Sequence, residues 1–195
     1  MSGEEQHVLK GHSRSVRSVA IQGDTIVSGS RDKTVRIWNA TSGEEQLMLK
    51  GHSRTVTSVA IQGDNIVSGS DDKTVRVWNA TSGEEQHVLK GHFGRVHSVV
   101  IQGDIIVSRS PGDTRYWNAR TGEALVADEA EASITPGTKT LVNVENGTHV
   151  KRSGGIGFTM DHAASATARQ GSVYVVGDLC GMVHILHVQE IEPET

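Results

Sequence analysis

Cysteine, proline and aromatic residues are scarce in this chain of 195 residues, which has one cysteine, three prolines and 4% aromatic residues. The single cysteine, Cys180, excludes an intramolecular disulfide, and we interpret it as a small buried apolar residue. No apolar run approaches the roughly 20 residues of a membrane-spanning helix. The N-terminal residues MSGEEQHVLK carry acids where a signal peptide would carry a basic and then an apolar stretch. We expect a soluble intracellular protein, cytoplasmic or alternatively nuclear, with no membrane partner.

Charge and motif content narrow the function classes further. The formal net charge of -4 gives no overall attraction to phosphate backbones, so no nucleic-acid partner is predicted. The patterns GxxxxGK[ST], GxSxG and HExxH, which mark phosphate-binding loops, serine hydrolases and zinc proteases, are absent from the sequence. We therefore predict no catalytic residues, no cofactor and no metal, and a protein that is not an enzyme.

An internal repeat dominates what is present. Residues 1–40 and 41–80 are almost identical, 81–120 form a third and more divergent copy, and each copy carries one tryptophan, at Trp38, Trp78 and Trp117. Within the first copy, hydrophobic residues alternate with polar ones in short runs separated by turn residues such as Gln22-Gly23-Asp24. Four such runs per unit of about 40 residues are typical of one blade of a β-propeller.

The repeated residues resemble the WD-repeat family. The matching positions in the first copy are Gly11-His12, Val27-Ser28-Gly29-Ser30, Asp32 and Trp38. The family's final Trp-Asp pair is Trp-Asn here, with Asn39, Asn79 and Asn118 in the second position. The resemblance implies an all-β propeller that binds other proteins through loops on one face.

The resemblance also implies a hydrogen-bonded set of side chains that holds each blade together. The corresponding residues are His12, Ser28, Asp32 and Trp38 in the first copy, and His52, Ser68, Asp72 and Trp78 in the second. Serine, histidine and aspartate could also form a catalytic triad, but their recurrence in successive copies favours a structural role. In the third copy the turn is one residue short and Arg109 replaces a glycine, so the spacing of Asp113 does not predict the set there.

The C-terminal part predicts a degenerate final blade at 161–190, because residues 170–186 follow the spacing of 22–38. Val176, Cys180 and Leu186 replace its serine, aspartate and tryptophan, and we interpret His184 and His187 as ordinary strand histidines. The stretch VVGDLCGMVHILHV is similar to the closing repeat of WD domains on NACHT-type signalling NTPases. Residues 121–160 are either a degenerate blade or an inserted hairpin. We thus expect a single propeller domain over 1–195, with three clear repeats in 1–120.

The phase of the strands suggests how the ring closes. Residues 4–10, EEQHVLK, have the sequence of a fourth strand without its own blade, and the final blade at 170–188 lacks a fourth strand. Pairing the two would close a small ring of four to five blades and leave no open sheet edge. An open arc, or a homodimer of two incomplete rings, is the alternative.

The predicted function is that of a non-catalytic protein-interaction scaffold. Arginine and exposed aromatic residues dominate the candidate partner-binding positions, as they do in interface hot spots. The candidates are Arg14, Arg17, Arg31, Arg54, Thr57, Asp71, Phe93, Arg95, His97 and Arg109. Two alternatives remain. The Gln-Gly-Asp turn and the IVSGS strand resemble F-box WD proteins, which implies a substrate-recognition module of a ubiquitin ligase; the other alternative is a small-ligand binder or enzyme in the central channel.

Overall fold

The strands of the computed structural model follow one another with short connections. The described residues are 4–127, 130, 143–145, 149–151, 157–159, 164–170 and 173–187. The strands are β1 Glu4–Lys10, β2 Val16–Gln22, β3 Thr25–Ser30, β4 Thr34–Asn39, β5 Glu45–Lys50, β6 Val56–Gln62, β7 Asn65–Ser70, β8 Thr74–Asn79, β9 Glu85–Lys90, β10 Ser98–Gln102, β11 Ile105–Ser110, β12 Asp113–Asn118, β13 Ala124–Leu125, β14 Asn143–Glu145, β15 His149–Lys151, β16 Gly157–Thr159, β17 Ala164–Gln170, β18 Val173–Asp178 and β19 Met182–His187.

These strands form antiparallel sheets that are the blades of a propeller. Blade I is β2–β5, blade II is β6–β9 and blade III is β10–β13. The closing blade contains β17, β18, β19 and β1, and β14–β16 form a three-stranded sheet whose β14 and β15 approach β17. The predicted all-β propeller fold is confirmed, with four four-stranded sheets and one three-stranded sheet among the described residues.

The N-terminal strand completes the last blade, as the strand phase predicted. β1 pairs antiparallel with β19, from Glu4 opposite His187 to Lys10 opposite Met182. Leu9 lies opposite Val183, and both side chains are buried. The pairing satisfies backbone groups of β19 that would otherwise form an open edge.

The core lies between neighbouring blades. Val27, Val35 and Ile37 of blade I pack in one cluster with Val56 and Trp78 of blade II. The same arrangement joins blade II to blade III, and the closing blade to blade I. Each interface therefore buries apolar surface from two repeats, and a single blade could not bury its own hydrophobic faces.

Glycine in the second strand allows this close packing. A Cβ atom on Gly29 would lie 2.6 Å from Cγ1 of Val56, and one on Gly69 would lie 2.7 Å from Cγ1 of Val96. Both distances are shorter than side-chain atoms tolerate. Glycine at these positions therefore lets the next blade's innermost strand pack directly against the sheet.

The interpretation of Cys180 was wrong: it is exposed, because it lies in the turn between β18 and β19 rather than in a strand. The division into 1–120, 121–160 and 161–190 stays a prediction, and much of 121–160 lies outside the described residues. Within the described part of the chain, no helix is long and apolar enough to cross a membrane.

Candidate functional site: the blade hydrogen bonds and the loop face

A relay of hydrogen bonds holds blade I together. Trp38 Nε1 donates to Ser28 Oγ at 2.8 Å, and Ser28 Oγ lies 2.7 Å from His12 Nε2. His12 Nδ1 lies 2.8 Å from an Asp32 carboxylate oxygen. With the imidazole proton on Nδ1, Ser28 donates to Nε2 and every polar atom in the relay is satisfied. The four residues named from the repeat therefore meet in one buried structural network.

Asp32 anchors the relay as a carboxylate. Burial by itself would raise the pKa of Asp32, but hydrogen bonds from His12 and Thr34 together lower that pKa well below its usual range. Asp32 also accepts the backbone N–H of Ser13 at 3.0 Å. The carboxylate thus joins the loop before β2 to the turn before β4 and stays ionised throughout the physiological range.

Blade II has the same hydrogen bonds as blade I. Blade III also forms them, but its aspartate occupies a different backbone position. His52 bonds to Asp72 and Ser68, each at 2.8 Å, and Trp78 donates to Ser68 at 2.9 Å. The third copy also forms the set, although the spacing of Asp113 did not predict it. His92 Nε2 lies 2.7 Å from Ser108 Oγ, and Trp117 Nε1 donates to that oxygen at 2.8 Å.

Asp113 completes the set in blade III from a different backbone position. It is the first residue of β12, opposite Ser110, rather than a residue of the turn. From there its carboxylate reaches His92 Nδ1 at 2.7 Å. Arg115 donates to the same carboxylate at 2.9 Å and lowers the pKa of Asp113. Burial lowers the pKa of His92, although Asp113 opposes this effect. The spacing of residues along the chain could not predict that Asp113, in β12, takes the place of the turn aspartate of the other blades.

The closing blade has a polar network that the sequence reasoning missed. His184 is buried, and its Nδ1 lies 2.7 Å from a Glu5 carboxylate oxygen of β1. Its Nε2 lies 3.3 Å from the fully buried Asp178 carboxylate. His184 is a strand histidine of β19, and its bond to Glu5 also ties the N-terminal strand to the last blade. The Val8–His184 strand register, which places Glu5 nearby, becomes visible only once β1 is paired.

Glutamine residues connect consecutive blades at the opposite end of the strands. The side-chain carbonyl of Gln170 accepts the N–H of Gly23 at 2.7 Å, and that of Gln22 accepts the N–H of Gly63 at 2.9 Å. Gln62 accepts the N–H of Gly103 at 3.0 Å. The recurrence of Gln-Gly in the sequence is the signal of these contacts, although by itself it predicts only a turn.

The candidate partner-binding residues gather at one end of the blades, which we call the loop face. It consists of the loops that enter β2, β6 and β10 and of the turns between the second and third strands of each blade. The N–H of Arg31 donates to the carbonyl of Ser15, and the hydroxyl of Ser30 to that of Arg14, so loop and turn are contiguous in blade I. The exposed candidates are Arg14, Arg17, Arg31, Arg54, Phe93, Arg95, His97 and Arg109.

Two candidates are less accessible. Asp71 and Thr57 are half-buried. The hydroxyl of Thr57 donates to the carbonyl of Gly69 at 3.0 Å and also contacts that of Val96. Thr57 therefore connects blades II and III, and it is replaced by Arg17 in blade I.

Charge is distributed unequally between the two ends of the blades. Exposed cations lie on the loop face at Lys10, Arg14, Arg17, Arg31, Lys33, Lys50, Arg54, Lys73, Lys90, Arg95 and Arg109. Exposed carboxylates lie at the opposite end at Asp24, Glu44, Asp64, Glu84, Asp104 and Glu123. A protein of net charge -4 thus presents a basic surface at one end. No group of three or more potential metal-ligating side chains occurs in the described part of the chain.

The fold and the repeated networks define a WD-repeat propeller, and comparison with known families agrees. The model of the WD domain, G-beta repeat, matches residues 3–39 and 43–79. These two segments of the chain are therefore WD repeats.

Curated relatives match only one repeat's length of the chain. The chain is 42% identical over 40 residues to the DENN domain and WD repeat-containing protein SCD1 of Arabidopsis thaliana, covering 20% of this chain and 3% of that protein. It is 56% identical over 32 residues to cell division control protein 4 of Candida albicans, covering 16% of this chain and 5% of that protein. The chain thus spans only a small part of the length of these relatives.

Two computationally designed proteins resemble the fold over almost the whole chain. Ika4 matches with a TM-score of 0.57 and 22% identity, covering 93% of this chain and 96% of the designed chain. Ika8 gives the same TM-score and identity, covering 92% and 48%. At this identity the likeness shows the fold alone.

Proposed function

We propose that this chain is a non-catalytic protein-interaction scaffold that binds a partner protein through its loop face. The observation that carries the proposal is the cluster of exposed arginines on that face. Arg14, Arg17 and Arg31 lie on adjacent segments of blade I, and none of the three enters the hydrogen-bonded relay. Arginine is enriched among the residues that dominate interface energetics.

The charge of the loop face favours a partner with an acidic or phosphorylated segment. Guanidinium groups make paired hydrogen bonds to carboxylates and phosphates, and a basic surface speeds the approach of an acidic partner. The carboxylate that follows Arg31 in the sequence is already engaged, since Asp32 is bonded to His12, Thr34 and Ser13. The arginines therefore remain available to a partner.

A double substitution tests this proposal. Arg17→Ala with Arg31→Ala should weaken binding of the affinity-purified partner by about 1–3 kcal/mol and leave the melting temperature nearly unchanged. Arg120→Ala is the matched control, because Arg120 is exposed at the opposite end and pairs with Asp104. Unaltered affinity of the double variant at physiological salt would show that these arginines are not part of the site.

A second candidate is that the chain is a substrate-recognition module of a ubiquitin ligase. The similarity to cell division control protein 4 of Candida albicans, together with the resemblance of the Gln-Gly-Asp turn to F-box WD proteins, favours it over a role in the central channel. Mass spectrometry of the purified complex distinguishes a ligase module from a simple scaffold. A ligase subunit beside the partner supports the module, and its absence favours the simple scaffold.

A further inference from the structure

The turn between β18 and β19 in the closing blade carries an apolar side chain on the loop face. The strand register aligns 179–181 with 31–33 of blade I. Leu179 is 52% exposed at the position that Arg31 occupies in blade I and Asp71 in blade II. Because those two blades fold with charged residues at this position, the blade itself does not require the leucine. The difference points to a requirement at the surface.

A buried carboxylate fixes the backbone of this turn. Asp178 is fully buried and accepts the N–H of Met182 at 2.8 Å. In blade I the turn is held in a similar way, since Asp32 accepts the N–H of Thr34 at 3.0 Å. Leu179 therefore lies on an ordered turn, and a partner that packs on it does not have to order the turn first.

The turn packs directly against the loop of blade I that contains Arg14. A Cβ atom on Gly181 would lie 2.7 Å from the carbonyl oxygens of both His12 and Arg14. Lys33 and Lys73 stand at the equivalent positions of blades I and II with positive φ values of 75° and 72°. A positive φ alone thus admits a side chain here, and the close approach is what requires glycine. The closing blade and blade I meet backbone to backbone at this point.

Cations of blade I and of β1 adjoin the same point. The carbonyl of Arg14 accepts the hydroxyl of Ser30, and the N–H of Arg31 donates to the same loop. Lys10 lies opposite Met182, the residue that follows the turn. Arg14, Arg31 and Lys10 are exposed, and none of them pairs with a carboxylate in the described part of the chain. One leucine is therefore surrounded by three cations that lack an acidic partner.

We propose that this junction, composed of Leu179, Arg14, Arg31 and Lys10, binds a segment of the partner protein in which acidic residues flank one apolar side chain. The apolar side chain packs on Leu179, and the carboxylates pair with the surrounding cations. The proposal rests on the proposed function. It places the site where the closing blade meets blade I, and it adds an apolar side chain to what the site recognises.

Charge complementarity favours an acidic protein segment as the occupant. The two carboxylates of the adjoining turns are already engaged, because Asp32 is bonded to His12 and Thr34 and Asp178 to Met182. They therefore leave the guanidinium groups to a ligand from outside. A membrane surface is less favoured, since even a single acyl chain attaches a protein to a membrane only marginally and one half-exposed leucine buries less.

A coupled substitution in the protein and in a peptide tests the proposal. The probe is a fluorescein-labelled peptide with glutamates on both sides of one leucine, and a second peptide has serine in place of that leucine. Leu179→Ser removes the apolar side chain of the protein without changing its charge. The matched control is Met48→Ser, which changes an apolar residue of β5 that is 40% exposed. Fluorescence anisotropy measures binding, and circular dichroism confirms folding.

The unsubstituted protein should bind the leucine peptide about tenfold more tightly than the serine peptide. Leu179→Ser should bind both peptides with the lower affinity, because the two side chains act as a pair, and Met48→Ser should behave like the unsubstituted protein. Arg14→Ala with Arg31→Ala should weaken binding of both peptides. An unchanged preference of Leu179→Ser for the leucine peptide, or no binding of either peptide by the unsubstituted protein, would overturn the assignment.

Two further measurements separate the proposal from its alternatives. Vesicles of phosphatidylcholine and phosphatidylserine should leave the protein in the supernatant after sedimentation, and binding to them that depends on Leu179 would make a membrane the occupant and refute the proposal. With the affinity-purified partner, full binding by Leu179→Ser but not by the Arg17/Arg31 variant would retain the loop face and reject the leucine junction. Full binding by both variants would reject the proposed function as well.

Discussion

Removal of Trp38 is the perturbation that tests most sharply how a blade is held together. The side chain is 1% exposed and lies in the cluster shared by blade I and the closing blade. An aromatic side chain of this kind buries about 150–250 Å², which at about 25 cal/mol per Å² corresponds to about 4–6 kcal/mol. The methyl group that remains in Trp38→Ala and partial collapse of the cavity reduce this figure. We expect a loss of about 3–5 kcal/mol in unfolding free energy.

A second variant separates packing from hydrogen bonding. Ser28→Ala removes few atoms but leaves the indole N–H of Trp38 and Nε2 of His12 without their partner. Each buried unsatisfied group costs about 1–3 kcal/mol, so Ser28→Ala should cost about 2–6 kcal/mol although it creates almost no cavity.

Urea denaturation followed by far-ultraviolet circular dichroism measures both effects, and Met48→Ala serves as the control at a 40% exposed position. Because blade II has the same geometry, Trp78→Ala should match Trp38→Ala. A loss below about 1 kcal/mol for Trp38→Ala, in a range typical of surface substitutions, would refute the claim that the relay holds the blade together.

The remaining predictions concern pH and ring closure. The pKa of His92 is lowered in the folded state, so the unfolded chain binds protons more readily than the folded chain. The stability that His92 contributes above about pH 6.5 is therefore lost as the pH falls below that value. The pKa values of Asp32 and Asp72 are also lowered, so their contribution is present above about pH 3.9 and disappears as the pH falls further. Urea midpoints between pH 8 and pH 3 should therefore decrease in two stages, with the first stage reduced in His92→Gln; a stability that rises from pH 7 to pH 5 contradicts this reasoning. Deletion of residues 1–11 removes β1, exposes the edge of β19 and leaves His184 without Glu5, so the truncated protein should aggregate or fail to fold. Light scattering and thermal melting provide the measurement, and a monomeric product with an unchanged melting temperature would show that β1 is not needed for closure.

The sequence predicted the propeller because each repeat in the sequence corresponds to one blade of the fold. Each tryptophan, and each histidine after a glycine, marks the same place in successive blades, and one copy checks the next. The pairing of β1 with β19 followed from the same logic, since a fourth strand without a blade and a blade without a fourth strand complement each other.

Features that depend on side-chain reach could not be predicted in the same way. Asp113 reaches His92 from the start of β12 although the turn is one residue short, and spacing along the chain does not contain that distance. His184 meets Glu5 across 179 positions of the sequence, which becomes apparent only when the register of β1 is known. The candidate binding residues are surface positions on which the blade places few demands, so the fold fixes their location but not their ligand.

Amide hydrogen exchange on the chain alone and in complex with its purified partner tests the central claim most directly. If the chain is a scaffold that binds through the loop face, protection on binding should appear in residues 11–17, 31–33, 51–55 and 91–97. The turns at Gly23, Gly63 and Gly103 at the opposite end should exchange equally in both states. Protection confined to those turns, or to the outer strands β5 and β9, would contradict the account.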